Sequence, residues 1–377
     1  MKNIAIIGSG PAGLMVADQL SDAGMKVTVY EKRKSAGRKL LIAGSSGLNI
    51  TYDAPLEELV AQYGAPHEMW DKMIRAFTAR QWRNWIEELG IPTFVGTSRR
   101  VFVEDMKAAN LLKLWQERLV TQGVEFRFGT EWGGIAETKQ YDATILALGG
   151  GSWEPDEKPL RWVKILKDLG IKFNDFTASN VGYQVAWPAK FLAESEGKPL
   201  KTIVLTSSRG SKKGELMVTK YGLEGTPIYF LGEAGEVRID LKPDSTIEDL
   251  VTRLESAKEN LSPMRRVQKM LKLSPVADSL IFHMTEPALL KSLTPSEMAE
   301  RIKSFPLTLT ATQPLDEAIS SGGGVDWSEL DENLRLKKFP KIYCIGEMID
   351  WDVPTGGFLL QGCVSQAAWV AKAILGQ

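Results

Sequence analysis

Three glycines and one acidic residue near the start of the chain have a spacing that implies chemistry. Gly8, Gly10 and Gly13 follow an apolar run, and Glu31 comes 18 residues after the last glycine. In a strand–turn–helix unit, the first glycine permits a tight turn, the second lets a pyrophosphate approach the backbone, and the third lets the helix pack close to the strand. The N–H groups at the helix start would face the phosphates, and the acid would accept bonds from ribose hydroxyls. This spacing predicts a dinucleotide site but does not separate NAD from FAD.

The sequence pattern around these residues predicts the elements that must position them. Residues 4–7 form an apolar strand, residues 14–23 have a helical pattern, and residues 26–30 form a second strand that ends at the acid. Strand, helix and strand in this order predict a βαβ unit with a parallel sheet.

A basic loop and a small-residue loop follow this unit. Arg38 and Lys39 come soon after the ribose acid and could lie along a pyrophosphate, although an ordinary solvated basic loop has the same composition. Residues 43–51 are small and polar, and they include Asn49. Such a loop suits a place where the backbone must approach a flat ligand closely.

Two later stretches repeat the pattern of a buried strand that ends in small or acidic residues. Residues 143–148 are followed by Gly149-Gly150-Gly151, and residues 341–345 are followed by Gly346 and Glu347. The acid could accept bonds from ribityl hydroxyls. A helix predicted over 359–373 begins after Gly356-Gly357, where its N–H groups could stabilise negative charge on a reduced flavin. The alternative is that these two glycines only make a helix-start turn.

Between these stretches the pattern changes twice. Short alternating segments over 181–241 predict an antiparallel sheet or small barrel, with strands at 181–186, 201–205, 215–219, 227–231 and 237–240. Residues 247–305 are mostly helical, with caps expected at Asp244 or Ser245 and at Thr294. The aromatic residues of 55–90 lie at helical spacing, which favours core positions over a ligand box. Short strands around 93–95 and 101–103 and a helix over 107–122 follow, and their order predicts that they continue the parallel sheet.

Composition limits the function classes. With 46 basic against 47 acidic residues, the net charge of −1 neither favours nor excludes an acidic partner. Cys344 and Cys363 form no CxxC pair and indicate a reducing, cytoplasmic setting. Two histidines supply no metal-ligand cluster, and no run approaches the ~20 apolar residues of a membrane span. No catalytic acid, base or nucleophile stands out, so the catalytic residues stay unknown and no metal is expected.

Taken together, these motifs resemble the BaiN/RdsA-type (YhiN-like) FAD-dependent oxidoreductases, over nearly the whole chain. The segments that carry the resemblance are 37–51, 147–153, 321–325 and 346–358. The chain departs from the family where many members have Gly-Arg-Cys-Asn, because it has Ser46-Gly47-Leu48-Asn49. This difference in sequence indicates a distinct branch of the family, whose reaction can differ from the reactions of other members.

The resemblance implies an α/β fold with a discontinuous two-dinucleotide-binding-type FAD domain. That domain would comprise 1–180 plus 320–377, with an inserted β-barrel at 181–245 plus 305–319 and a helical subdomain at 246–304. The cofactor would be tightly, non-covalently bound FAD. The candidate cofactor-binding residues are Gly8, Gly10, Pro11, Ala12, Gly13, Glu31, Lys32, Arg38, Lys39, Leu40, Asn49, Trp132, Ala147, Leu148, Gly149, Gly346, Glu347, Gly356, Gly357, Phe358 and Leu359.

Several functions are compatible with these residues. The leading hypothesis is an oxidoreductase whose flavin is reduced by NAD(P)H and passes hydride to an unsaturated or carbonyl small molecule. The second is a ribosomal-RNA-modifying flavoprotein similar to a dihydrouridine synthase. Basic residues at 209–213 and 265–272 give it weak support, because runs of charged residues are usually solvated. The third is a non-enzymatic flavin-binding sensor or scaffold. No membrane partner is expected, and the oligomeric state stays open.

Overall fold

The structure is a computed structural model that describes residues 2–44, 47–153 and 160–376. Ser45 and Ser46, which belong to the predicted small-residue loop, lie outside the described residues. The strands are β1 Asn3–Ile7, β2 Lys26–Glu31, β3 Asn49–Tyr52, β4 Thr93–Val95, β5 Arg100–Val103, β6 Glu125–Phe128, β7 Ala143–Leu146, β8 Phe173–Ser179, β9 Tyr183–Gln184, β10 Pro199–Ser207, β11 Gly210–Val218, β12 Gly222–Glu224, β13 Gly235–Asp240, β14 Phe305–Leu309, β15 Ser320–Val325 and β16 Ile342–Cys344. The α-helices are α1 Pro11–Asp22, α2 Arg38–Ala43, α3 Leu56–Val60, α4 His67–Ala76, α5 Ala79–Glu88, α6 Ala108–Thr121, α7 Arg161–Asp168, α8 Ala189–Ser195, α9 Thr226–Leu231, α10 Ile247–Glu255, α11 Pro263–Met270, α12 Pro275–Met284, α13 Pro287–Ser292, α14 Pro295–Lys303 and α15 Phe358–Leu375.

The chain divides into two compact units, one made of residues 1–179 and 315–377 and the other of residues 180–314. Each unit has its own cluster of buried apolar residues. The finer division of the second unit into a barrel and a helical subdomain stays a prediction.

The first unit is built on a five-stranded parallel sheet in the order β16-β7-β1-β2-β6. β1 lies in the middle of the sheet and its residues Ile4 and Ile6 are fully buried, as a continuous apolar strand of a parallel sheet requires. Ile7 pairs with Tyr30 of β2 and with Leu146 of β7, so the carboxyl ends of the central strands meet at one edge. The predicted α/β fold is confirmed.

Strands β3, β5 and β4 form a separate antiparallel sheet in the first unit. The strands near Thr93 and Val101 were expected to continue the parallel sheet, and this prediction is wrong. They are too short and too closely spaced for the long crossover that a parallel pairing needs. The helices before them bury Trp70 and Trp82 completely and Trp85 almost completely, which confirms their core positions.

The closing helix α15 packs along α1 and against α4. Residues such as Val364, Ala367 and Val370 are fully buried in the core of the first unit. Among the described helices, α15 is the one that is long and apolar enough, by length and composition alone, to cross a membrane, although polar residues such as Gln361, Ser365 and Gln366 interrupt its apolar run. Its residues are mostly buried inside the protein, as in the core helix of a soluble domain.

The second unit contains a six-stranded antiparallel sheet in the order β14-β13-β10-β11-β12-β9. The N–H of Gln184 donates to the carbonyl of Ala311 at 2.8 Å, and the N–H of Thr310 donates to the carbonyl of Gln184 at 3.0 Å. These bonds join β9 to the chain just after β14, so the sheet closes on itself. Helices α10 to α14 lie between β13 and β14 in the sequence.

Two local predictions for this unit are wrong. Residues 227–231 were expected as a strand but belong to α9, in which Pro227 occupies the first turn after Gly225. A five-residue apolar run does not distinguish a strand from a buried helical turn, and Pro fits the first helical turn. The cap of α10 is Thr246, whose side chain accepts from the N–H of Asp249 in a capping box, in place of Asp244 or Ser245. Thr294 caps α14 as predicted.

Candidate functional site

An open cleft lies at the carboxyl edge of the parallel sheet, and the space between its walls, including open solvent, is about 1000 Å³. Most of the residues that line it follow four neighbouring strands, in the order β2, β1, β7 and β16, and Thr130, Glu131 and Trp132 follow the edge strand β6. Three strand spacings separate β2 from β16, which is roughly 14 Å. The sheet therefore presents a long site, with Glu31 at one end and Glu347 at the other.

The three glycines of the first turn differ in what surrounds them. Gly8 has a φ of +109°, and a Cβ added there would lie 2.1 Å from the carbonyl oxygen of Ala147. A Cβ on Gly13 would lie 2.0 Å from the carbonyl oxygen of Gly8. A Cβ on Gly10 would meet no protein atom within 4 Å. Packing therefore requires Gly8 and Gly13, whereas the space beside Gly10 opens toward the cleft at the start of α1.

Glu31 is held by groups of two neighbouring turns, its own and the one after β1. The N–H and hydroxyl of Ser9 donate to its Oε2 at 3.1 and 2.6 Å, and the N–H of Arg33 donates to its Oε1 at 2.9 Å. Each carboxylate oxygen can accept more than one bond. The carboxylate is thus fixed in position at the cleft and keeps acceptor capacity for a ligand hydroxyl.

At the opposite end, Lys39 and Glu347 lie close together. The Nζ of Lys39 donates to the carbonyl of Gly150 at 2.8 Å. A Cβ on Gly150 would lie 3.4 Å from the Oε1 of Glu347. Burial raises the pKa of Glu347, the charge of Lys39 lowers it, and Asp352 raises it again. The Oε1 atom of Glu347 is buried and accepts no hydrogen bond from the described residues. A buried polar atom without a protein partner marks a place where a ligand hydroxyl could donate.

The start of α15 lies outside this cleft. Gly357 has a φ of +93°, and a Cβ there would lie 2.5 Å from the backbone nitrogen of Thr51 on β3. The hydroxyl of Tyr63 donates to the carbonyl of Phe358 at 2.7 Å. Close packing on β3 is therefore sufficient to require a glycine at this position. A role of the glycine turn toward a flavin stays a prediction.

The cleft brings together most of the residues that the sequence analysis predicted. The predicted residues that line it are Gly8, Gly10, Pro11, Ala12, Glu31, Lys32, Arg38, Lys39, Leu40, Trp132, Ala147, Leu148, Gly149, Gly346 and Glu347. The predicted residues that do not line it are Gly13, Asn49, Gly356, Gly357, Phe358 and Leu359. Gly13 supports the turn from behind, and Asn49 pairs with Phe102 in the separate sheet.

Several residues that line the cleft were not predicted. They are Ile7, Ser9, Tyr30, Arg33, Gly37, Thr130, Glu131, Trp162, Ile345 and Cys363. Ser9 lies inside the glycine motif and could have been found as a partner of the ribose acid. Trp162 and Cys363 carry no such signal, because each lies on a helix that reaches the cleft only through tertiary packing.

The thiols are poorly suited to chemistry. Cys344 and Cys363 are both free and buried. Burial raises the pKa of each thiol, and for Cys363 the carboxylate of Glu347 raises it further. Since the thiolate is the reactive form, the raised pKa makes both side chains poor nucleophiles. No group of three or more metal-ligating residues occurs in the described part of the chain.

Comparison with known proteins places this geometry in context. A family model described as "HI0933-like protein Rossmann domain" matches residues 2–373. The chain is 24% identical to a ribosomal RNA dihydrouridine synthase of Escherichia coli, over 98% of this chain and 97% of that protein. It is 22% identical to a 3-dehydro-bile acid delta(4,6)-reductase of Clostridium scindens, over 100% of this chain and 98% of that protein.

A solved structure has the same overall fold. The 3-ketosteroid delta1-dehydrogenase of Sterolibacterium denitrificans superposes with a TM-score of 0.51 at 10% sequence identity, covering 100% of this chain and 99% of that chain. At this identity the likeness concerns the fold alone.

Proposed function

The chain belongs to the HI0933-like Rossmann-domain family, and from this premise we propose that it is an FAD-dependent oxidoreductase that NAD(P)H reduces. The reduced flavin would pass hydride to an unsaturated or carbonyl small molecule. FAD supplies the hydride chemistry, and the protein supplies binding, orientation and electrostatics.

One observation carries this proposal: a single cleft crosses the carboxyl ends of the parallel strands, with Glu31 after β2 and Glu347 after β16. The glycine turn and the start of α1 suit a pyrophosphate near the middle. Glu31 suits ribose hydroxyls, and Glu347 with its unpartnered Oε1 suits ribityl hydroxyls. A mononucleotide would leave one of the two ends unused. The full set of cofactor-binding residues, including the start of α15, belongs to this proposal.

The bound flavin is non-covalent in this proposal. Cys363 lines the cleft, and burial raises the pKa of its thiol, which disfavours the thiolate that a covalent bond to the flavin would need. The likeness to a bile acid reductase supports a small unsaturated substrate, because that relative covers nearly the same length. The two free cysteines support a reducing compartment, and we place the protein in the cytoplasm.

A second candidate function is the reduction of a uridine in ribosomal RNA. Its support is the likeness to a dihydrouridine synthase over nearly the whole chain. The basic residues of the second unit support it less. Lys213 pairs with Asp244 at 3.1 Å, and Arg266 donates to the carbonyls of Leu261 and Glu259. These cations are already engaged within their own unit.

Anaerobic titration of the purified protein tests both candidates. The protein should purify yellow, release FAD on denaturation, and bleach with NADPH or NADH. Adding an enone such as a 3-keto-4-ene steroid should restore the oxidised spectrum if the first candidate is right. Restoration by unmodified ribosomal RNA, together with salt-dependent RNA binding, would favour the second. A flavin that neither nicotinamide reduces would contradict NAD(P)H as the donor.

A further inference from the structure

Two tryptophans lining the cleft each keep an indole N–H without a partner. Trp132 and Trp162 are 4% and 6% exposed, and both line the cleft. The Nε1 atom of each is buried and has no acceptor within hydrogen-bond distance among the described residues. A buried donor without an acceptor loses its hydration and gains nothing in return, so such groups are rare in folded proteins. Two of them in one cleft require an explanation.

Both tryptophans belong to one corner of the cleft. Trp132 follows β6, whose last residue Phe128 pairs with Glu31. Trp162 lies next to Arg161, which pairs with Glu131 at 3.6 Å and so ties the start of α7 to the neighbour of Trp132. This corner contains the ribose acid, and Glu347 with its unpartnered acceptor lies at the far end.

The ring of Trp162 is fixed from behind. It makes edge-to-face contacts with Phe173 and Phe176, at centroid distances of 5.7 and 6.0 Å. These apolar neighbours offer no acceptor to the indole. The corner near Glu31 therefore presents two indole donors to a ligand, beside the carboxylate of Glu31, which accepts.

We propose that the indole N–H groups of Trp132 and Trp162 donate hydrogen bonds to acceptor atoms of the adenosine diphosphate part of the cofactor. The adenine ring and the pyrophosphate are rich in acceptors for two indole donors, while the carboxylate of Glu31 accepts from the ribose hydroxyls between them. This inference rests on the proposed function and adds Trp162 as a cofactor-contacting residue.

Replacement by phenylalanine tests the proposal, because it removes the N–H and keeps an aromatic ring. The variants are Trp132→Phe, Trp162→Phe and, as a matched control, Trp115→Phe. Trp115 is fully buried among Trp82 and Trp85, its Nε1 also has no partner among the described residues, and it does not line the cleft. In all three variants the indole ring is replaced by a benzene ring, and a buried N–H group without a partner among the described residues is removed.

Two quantities are measured on the full chain: the dissociation constant of FAD and the urea midpoint of the flavin-free protein. Each cleft variant should bind FAD about three- to tenfold more weakly, as expected for the loss of one hydrogen bond. Trp115→Phe should bind FAD within about twofold of the wild type. The flavin-free midpoints of the three variants should shift alike.

Equal FAD affinity in the cleft variants and the control would overturn the proposal. So would a cleft variant whose flavin-free midpoint falls far below that of Trp115→Phe, because a structural role would then explain any weaker binding. If the wild type binds no FAD, the proposed function fails, and titration of the same variants with ADP still decides the role of the indoles. In that case, an ADP affinity that is the same in the cleft variants and in the wild type would overturn the proposal.

Discussion

Glu347 shows how burial and a neighbouring charge compete at a single side chain. Burial disfavours the carboxylate, while the ammonium of Lys39 favours it, and the net effect is a raised pKa. Desolvation therefore outweighs the attraction to Lys39. The flavin-free protein is left with a carboxylate that is costly to ionise, at the point where a ligand hydroxyl could donate to it.

The raised pKa makes a prediction about stability and pH. Between the ordinary pKa of a glutamate and the raised value, the folded state binds more protons at this site than the unfolded state does. This group's contribution to stability is thus fully present at low pH and is lost as the pH rises through the raised value. Glu347→Gln removes this loss, so the variant's advantage in flavin-free unfolding free energy should grow with pH. Urea titrations across pH 4 to 8, with the exposed Glu88→Gln as the control, measure the difference. A constant difference would contradict the role assigned to burial.

Gly10 separates folding from binding at one residue. Its φ is −75°, which any residue can adopt, and no protein atom lies within 4 Å of an added Cβ. Gly10→Val should therefore fold with a urea midpoint near that of the wild type, yet purify without flavin, because the side chain would fill the path of the pyrophosphate. Gly64→Val is the matched control, since Gly64 is exposed and an added Cβ there also meets nothing within 4 Å. A yellow Gly10→Val protein with full FAD content would show that the cofactor does not approach this turn.

At the scale of elements, α15 is anchored by buried hydrogen bonds as well as by apolar packing. The hydroxyl of Thr51 donates to the Oε1 of Gln361 at 2.7 Å, and the Nε2 of Gln361 donates to the carbonyl of Phe77 at 2.9 Å. Thr51 and Gln361 are fully buried. Gln361 therefore ties the helix both to β3 and to the end of α4.

Breaking this tie should destabilise the protein measurably. Thr51→Val keeps the shape and leaves the Oε1 of Gln361 without its donor, which should lower the unfolding free energy by about 1–3 kcal/mol. Thr121→Val on the exposed end of α6 removes a hydroxyl that donates to a helix carbonyl, and it should change stability by less than about 0.5 kcal/mol. Urea denaturation of both variants provides the comparison. Equal effects would mean that the buried bond contributes nothing beyond a surface one.

The sequence predicts elements well where the pattern is long and poorly where it is short. The first βαβ unit, α6, α14 and α15 are found at nearly their predicted places because caps, periodicity and glycine turns agree. The strand expected at 227–231 is a helix, and the strands around 93–103 form their own sheet, because six or fewer residues do not specify their partners. Strand pairing is decided by tertiary contacts that no local window contains.

The residues that line the cleft also divide into those that the sequence predicts and those that it does not. Residues at the carboxyl ends of β1, β2, β7 and β16 were found because topology brings such ends to one edge. Trp162 and Cys363 were missed because their approach to the cleft depends on how α7 and α15 pack. The glycines at the start of α15 were predicted as cofactor residues and lie outside the cleft, where contact with β3 already requires Gly357.

At the scale of the whole molecule, the second unit is continuous in sequence and has the features of an inserted domain. It comprises residues 180–314 and has its own buried core, in which Leu205, Leu216 and Ile239 are fully buried. Its two ends meet, because the N–H of Gln313 donates to the carbonyl of Gly182 at 2.9 Å. Domains inserted into another domain commonly have adjacent ends, since the host chain must leave and return at one place.

We therefore predict that residues 180–314 fold alone, without the first unit and without flavin. The barrel closes within this segment through the bonds between Gln184 and residues 310–311, so no strand of it requires a partner from elsewhere. The fragment should show a cooperative urea transition by circular dichroism, as small single domains usually do. Residues 180–304 form the control, because this shorter fragment lacks β14 and the closing segment and leaves two barrel edges open. It should be unfolded or aggregated. A longer fragment that melts without cooperativity, while the full chain unfolds cooperatively, would show that the second unit depends on the first for its stability.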